Sequence, residues 1–166
     1  MARKKERRMF VRTAAGYLIN LEPGERELVA RLMAELRDML LADDPRSHPL
    51  LRRLFPPAYH LADDTEADAE YQRLMREELV ASRLASIEEA GRLLESGKAL
   101  DDDAMQGLLR SLNAVRLVLG TMLDVGETHD SSEIGDDDPM IGEHHLYQFF
   151  SMLLDRAVDA LSGYED

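Results

Sequence analysis

Asn113, Arg116 and Gly120 come closest to a chemical constellation in this chain. They stand at i, i+3 and i+7 inside the run Leu112–Gly120, which is apolar nearly all round. On a helix they share one face of a segment that reads as central to a bundle. A guanidinium buried there requires a carboxylate or several carbonyls, because an unpaired buried charge is strongly destabilising. Glu70, Glu77 and Glu78, with Arg73 among them, are the carboxylate-bearing stretch expected to face it, and Gly120 is expected to let another backbone come close. Glu70, Arg73, Asn113, Arg116 and Gly120 therefore form one candidate network, a brace that fixes helix register or the lining of a pocket.

Other chemistry finds little support. His144 and His145 are adjacent, so on a helix they point about 100° apart and do not face one metal together. The loop beside them, with His129, Asp136, Asp137, Asp138 and Glu143, lacks the Asp-x-Asp-x-Asp-Gly order of a calcium loop, and no His-x-x-x-His pair exists. His48 and His60 flank prolines and read as loop-packing groups. There is no phosphate-binding glycine loop, no dinucleotide fingerprint and no Gly-x-Ser-x-Gly elbow. Cysteine is absent, which excludes thiolate catalysis, cysteine-bound zinc and disulfides. Thirty-three carboxylates generate chance pairs, so pairing alone assigns no acid–base chemistry. Most of the nine methionines fall at core spacings and read as packing. No catalytic residue, metal site or cofactor is expected. The alternative is a small helical enzyme or metal-binding protein with a pocket around Arg116.

The 166 residues carry 20 basic and 33 acidic side chains, a net charge of −13. Residues 1–12 sum to +5, so the rest sums to −18. Arg3, Lys4, Lys5, Arg7 and Arg8 are the candidate phosphate contacts, though a solvated, frayed basic terminus is the simpler account of them. The acidic body repels DNA, and no helix offers basic residues along one face, so direct DNA binding is expected to be weak or absent. No run approaches a membrane span, and no apolar segment follows the basic start as a signal peptide requires. A cytoplasmic protein is expected.

The elements that position these residues are mostly helical. Met9–Arg12 and Tyr17–Leu21 are β-prone runs separated by Thr13–Gly16, which predicts a hairpin resting on the helices or on another chain. Pro23 opens a helix whose apolar face is Leu28, Leu32, Leu36, Met39 and Leu40, ending near Ala42. His48–Phe55 predicts a short helical segment stopped by Pro56-Pro57. Thr65–Glu95 carries two apolar stripes, Tyr71, Leu74, Met75 and Leu79, then Leu84, Ile87 and Leu94. One straight helix of that length is about as long as a compact domain is wide, so a break is expected between Ser82 and Gly91. Helices over Ala104–Leu123 and Glu143–Leu161 follow, the latter with a stripe of Leu146, Phe149, Phe150, Leu153, Leu154, Val158 and Leu161. The acidic stretch between them, about 124–142, reads as a loop, most mobile over Thr128–Pro139. The fold class is mainly α, a helical bundle with a small N-terminal β-hairpin: a flexible basic arm over 1–8 and one helical domain over 9–166.

Four segments carry a family resemblance: Phe10-Val11-Arg12 through Gly16-Tyr17 into Leu21-Glu22 and Glu27-Leu28; Arg53-Leu54-Phe55-Pro56-Pro57-Ala58-Tyr59; Glu70-Tyr71 with Arg73; and Leu112-Asn113-Ala114-Val115-Arg116-Leu117-Val118-Leu119-Gly120. In these the chain resembles an actinobacterial family formerly described as a domain of unknown function and now called the oxidative stress transcription regulator family, AosR. Ala114 stands where that family has Asp. The resemblance implies a regulator working with an alternative sigma factor on promoter DNA and sensing oxidants through a cysteine pair. With no cysteine, that sensing is not carried over. The expected function is thus non-enzymatic regulation through a protein partner, a sigma factor or other transcription component, with a homodimer left open. Arg53, Leu54, Phe55, Pro56 and Tyr59, together with the hairpin, are the expected docking surface.

Overall fold

The computed structural model describes residues 7–42, 48–55, 65–125 and 134–163, the side chains of Thr65, Asp68 and Gln72 excepted. Two strands, β1 (Phe10–Thr13) and β2 (Gly16–Ile19), precede helices α1 (Pro23–Leu40), α2 (Thr65–Ser96), α3 (Asp102–Met122) and α4 (Ile141–Ser162), with a 3₁₀ turn at Pro49–Leu51. The fold is the expected one, four helices with an N-terminal hairpin. Residues 1–6, Pro56, Tyr59, His60 and residues 126–133 lie outside the described part, so the expectations for the basic arm's first residues and for that part of the acidic loop do too.

The hairpin pairs Phe10 with Ile19 and Thr13 with Gly16, and buries Phe10 and Tyr17. It is stitched to the helices by a reciprocal backbone pair, in which the Tyr17 N–H donates to the Leu100 carbonyl and the Leu100 N–H to the Tyr17 carbonyl, both at 2.8 Å. Gly16 has φ 121°, and a Cβ there would lie 2.2 Å from the Leu100 oxygen, so only glycine serves both the turn and this approach.

α3 is the central helix, packed against α4, α2, α1 and the 3₁₀ turn. It buries Met105, Leu108, Leu112, Ala114, Val115, Val118 and Leu119, most of its circumference, as an all-round apolar sequence should. Asp101 caps its start, its side chain accepting from the Ala104 N–H at 2.8 Å. Its end is a left-handed cap: Asp124 has φ 54°, and the Val125 N–H returns to the Gly120 carbonyl at 2.8 Å. α4 begins at Ile141, two residues earlier than expected, because the Asp138 carboxylate and carbonyl take up the N–H groups of Met140 and Ile141.

Three expectations are corrected. The buried face of α1 is Val29, Met33, Leu36 and Leu40; Leu28, Leu32 and Met39 flank it half-buried, so the face is turned by part of one residue step. In α4 the buried apolar residues are Phe150, Leu153 and Ala157, and Val158 is exposed. α2 does not break: it is continuous over 32 residues, about 48 Å. It needs no break because it is not confined to the width of the bundle: its first turns extend past the helix it packs against. Antiparallel to it, α1 has only 18 residues, about 27 Å, and is anchored at the C-terminal end of α2, where Arg26 donates to the Leu94 carbonyl. α1 therefore runs out before the first four turns of α2, where no described side chain is buried.

Candidate functional site

Arg116 is half-buried, and among the described residues it bonds a side-chain amide rather than a carboxylate. Its Nε and Nη2 donate to the Asn113 side-chain oxygen at 3.3 and 3.1 Å, and its guanidinium carbon stands 5.9 Å from the centre of the Tyr147 ring. The i, i+3 reading of Asn113 and Arg116 is therefore right, and the cross-helix ion pair is a correction. Glu70 and Glu77 are exposed and flank Arg73 on the outside of α2 at 3.8 and 3.3 Å. They lie in the overhanging turns, away from Arg116. Glu70 and Arg73 thus belong to a solvated surface trio, not to the network of Asn113, Arg116 and Gly120.

Gly120 is a point of close approach for side chains rather than for a backbone. A Cβ there would lie 3.1 Å from both Arg53 Nη1 and Tyr147 Cε2. Arg53 reaches across to donate from Nη2 to the Val125 carbonyl at 2.6 Å, just past the end of α3. Leu54 is fully buried, and Phe55 is half-buried beside Arg83, whose Nη2 donates to the Leu54 carbonyl at 3.2 Å. Leu54 is therefore core and Arg53 a brace, which corrects their assignment to a docking surface. The apolar residues around the Arg-Leu-Phe segment are spent on packing.

A pattern emerges among the arginines. Arg7, Arg37, Arg52, Arg73 and Arg92, on the surface, pair with carboxylates. Arg26, Arg53, Arg83 and Arg116, half-buried, bond neutral oxygens: Ile19 and Leu94, Val125, Leu54 and Asn113 respectively. Several of these oxygens sit at or just past helix ends, where carbonyls lack intrahelical partners and the dipole favours a cation. Burial pushes the Arg83 guanidinium below its ordinary pKa. Sequence reasoning missed Arg26, Arg83 and Tyr147. The signal for Arg83 was its place four residues before Ile87 on the buried face of α2. The brace holds helix ends; it sets no nucleophile against a base among the described residues.

Arg7, a candidate phosphate contact, is engaged by its own protein. It reaches Glu25 at 2.5 and 2.6 Å and Glu22 at 2.9 Å. Burial pushes the Glu25 carboxyl up, but the Arg7 hydrogen bond and charge and the Glu22 N–H outweigh it and hold it below the ordinary value. The Arg8 carbonyl accepts from the Asn20 side chain at 2.9 Å. Arg3, Lys4 and Lys5 lie outside the described residues. Among the described residues no group of three or more His, Asp or Glu is placed to hold a metal ion. His144 is buried and His145 exposed.

The surface feature that stands out is the overhang of α2. Tyr71, Leu74, Met75 and Leu79 are 58%, 52%, 45% and 36% exposed. At 100° per residue they occupy an arc of about 140°, centred roughly 120° from the one that Ile87, Ala90 and Leu94 bury. The stripe is legible in the sequence as expected; its lack of any cover among the described residues is not.

The family model described as a domain of unknown function, DUF2017, matches residues 7–161, and the chain belongs to that family. No curated protein and no solved structure matches it. Among the described residues no helix is long and apolar enough to cross a membrane.

Proposed function

We propose that this protein is a non-enzymatic, cytoplasmic regulator that acts by protein–protein contact and is associated with transcription. The observation that carries the reading is the arc of four large apolar side chains on the overhanging turns of α2. Contiguous exposed apolar surface of this kind is the mark of an interaction site. The association with transcription rests on the resemblance to the AosR family, and the partner it suggests is a sigma factor or another transcription component. With no cysteine, the regulation is not thiol-based. Direct DNA binding is secondary, since the net charge is −13 and Arg7 is held by Glu22 and Glu25.

The test is a comparison of two baits, the wild-type protein and a Leu74→Glu/Met75→Glu variant, in lysate of the native host with captured proteins identified by mass spectrometry. The reading expects a sigma factor or RNA polymerase subunit with the first bait and its loss with the second. Equal capture by both baits, or no transcription component with either, sinks it.

A further inference from the structure

Resting on the protein-contact reading, we infer that the exposed arc of α2 receives a basic amphipathic helix from another protein.

Shape is the first argument. Tyr71, Met75 and Leu79 follow one i, i+4, i+8 ridge with Leu74 beside it, over about 12 Å of helix. A ridge of that form packs against the groove of a second helix carrying apolar residues at i, i+3 or i+4, and i+7.

Charge fixes the partner's chemistry. On the same turns stand Glu66, Glu70, Glu77 and Glu78, against Arg73 and Arg76. Arg73 is already answered by Glu70 and Glu77. By its position on the helix, Glu78 falls inside the apolar arc, between the azimuths of Leu74 and Tyr71. A partner helix that meets this face therefore needs Lys or Arg opposite Glu78 and along the flank beside Leu74, where Glu70 and Glu77 stand, while Arg76 stands beyond Leu79 on the other flank. A second copy of this chain brings the same four glutamates and a net charge of −13, and is disfavoured. An anionic lipid surface is disfavoured for the same reason, since helices that lie on such membranes present basic flanks.

Residues 1–6 of the chain's own basic arm are excluded by reach. The arm leaves the body at Arg7, bound to Glu22 and Glu25 next to Arg26, which holds the Leu94 carbonyl. Along α2, Leu79 is about 22 Å and Tyr71 about 35 Å from Leu94. Six residues at full stretch span about 20 Å, which does not cover the arc.

The experiment uses the full chain and a fluorescent model peptide of roughly 18 residues, Leu on one helical face and Lys elsewhere, with a matched Leu/Glu peptide as control. Fluorescence anisotropy is expected to show saturable binding of the Lys peptide, weakened by salt, and none of the Glu peptide. Glu78→Lys should weaken the Lys peptide about tenfold, and Leu74→Glu/Met75→Glu should abolish binding. Val158→Glu, at an exposed apolar position on α4, should leave it unchanged. Equal binding to all four proteins, or none to the wild type, overturns the inference. So does a wild-type dimer in sedimentation that the Leu74→Glu/Met75→Glu variant loses, which makes a second copy the occupant. Protection of Tyr71 from acrylamide quenching in the isolated monomer also overturns it, making a segment of the same chain the occupant. If the host bait captures a transcription component through the arc while the Lys peptide fails, the contact reading stands and only the partner chemistry falls.

Discussion

Ile87, Ala90 and Leu94 in the C-terminal half of α2 lie in the core, whereas Tyr71, Leu74, Met75 and Leu79 in its N-terminal half stand in solvent. Both sets are apolar residues at helical spacing on one uninterrupted helix. The difference lies in what returns to cover them. The C-terminal half meets α1 and α3; Arg26 ties its last turn to β2, Arg37 reaches Glu88 at 3.2 Å, and the hairpin is stitched to Leu100 just beyond. The N-terminal half extends past the end of α1. An apolar stripe thus specifies a face, and helix length decides whether the fold or a partner fills it.

The comparison is broken most directly by truncating one leucine from each half. Leu94→Ala should cost about 2–5 kcal/mol, as large-to-small changes at fully buried sites do. Leu74→Ala should stay within about 0.5 kcal/mol while weakening partner binding. Urea denaturation followed by circular dichroism reads both. Comparable losses would mean that the overhang is covered within the monomer.

Gly16→Ala attacks the anchor just beyond the C-terminal half. The added methyl meets the Leu100 carbonyl at 2.2 Å in a backbone conformation that disfavours L-residues. A loss of about 3 kcal/mol is expected, with early loss of amide protection at Tyr17 and Leu100. A near-neutral effect would show that the hairpin is not what holds that end.

Arg26→Met removes the clamp on the Leu94 and Ile19 carbonyls but keeps the aliphatic stem. It should cost about 1–3 kcal/mol. Hydrogen exchange should then quicken in the last turns of α2 and leave residues 66–79, where no described side chain is buried, unchanged.

The smallest effect is pH-dependent. The Glu25 carboxyl is held below its ordinary value of 4.5, so the stability it contributes is present above that pH and fades as pH falls through its lowered folded value. Arg7→Ala should lower stability slightly at neutral pH, and the gap from wild type should close as the solution is acidified through that range. A gap independent of pH would mean that Arg7 acts by packing rather than charge.

Local chemistry made much of this protein readable. Pro23 marks the start of α1, Asp101 that of α3, and Gly16 the hairpin. Each acts through its own backbone conformation or nearest neighbours, so no knowledge of the tertiary arrangement is needed. The central place of α3 was legible for a similar reason, since a segment apolar all round has no face to give to water. Asn113 and Arg116 meet because i and i+3 are neighbours on any helix. What faces Arg116 from outside α3 depended on how far and at what angle each helix lies, and a ring from α4 took the place expected for a glutamate from α2. Leu54 entered the core and Arg53 reached Val125 only because the segment folds against the end of α3. The exposure of the α2 arc likewise belonged to the tertiary structure. Periodicity is a property of one helix, but coverage depends on the relative lengths and placement of two, and α1 ends before the arc begins.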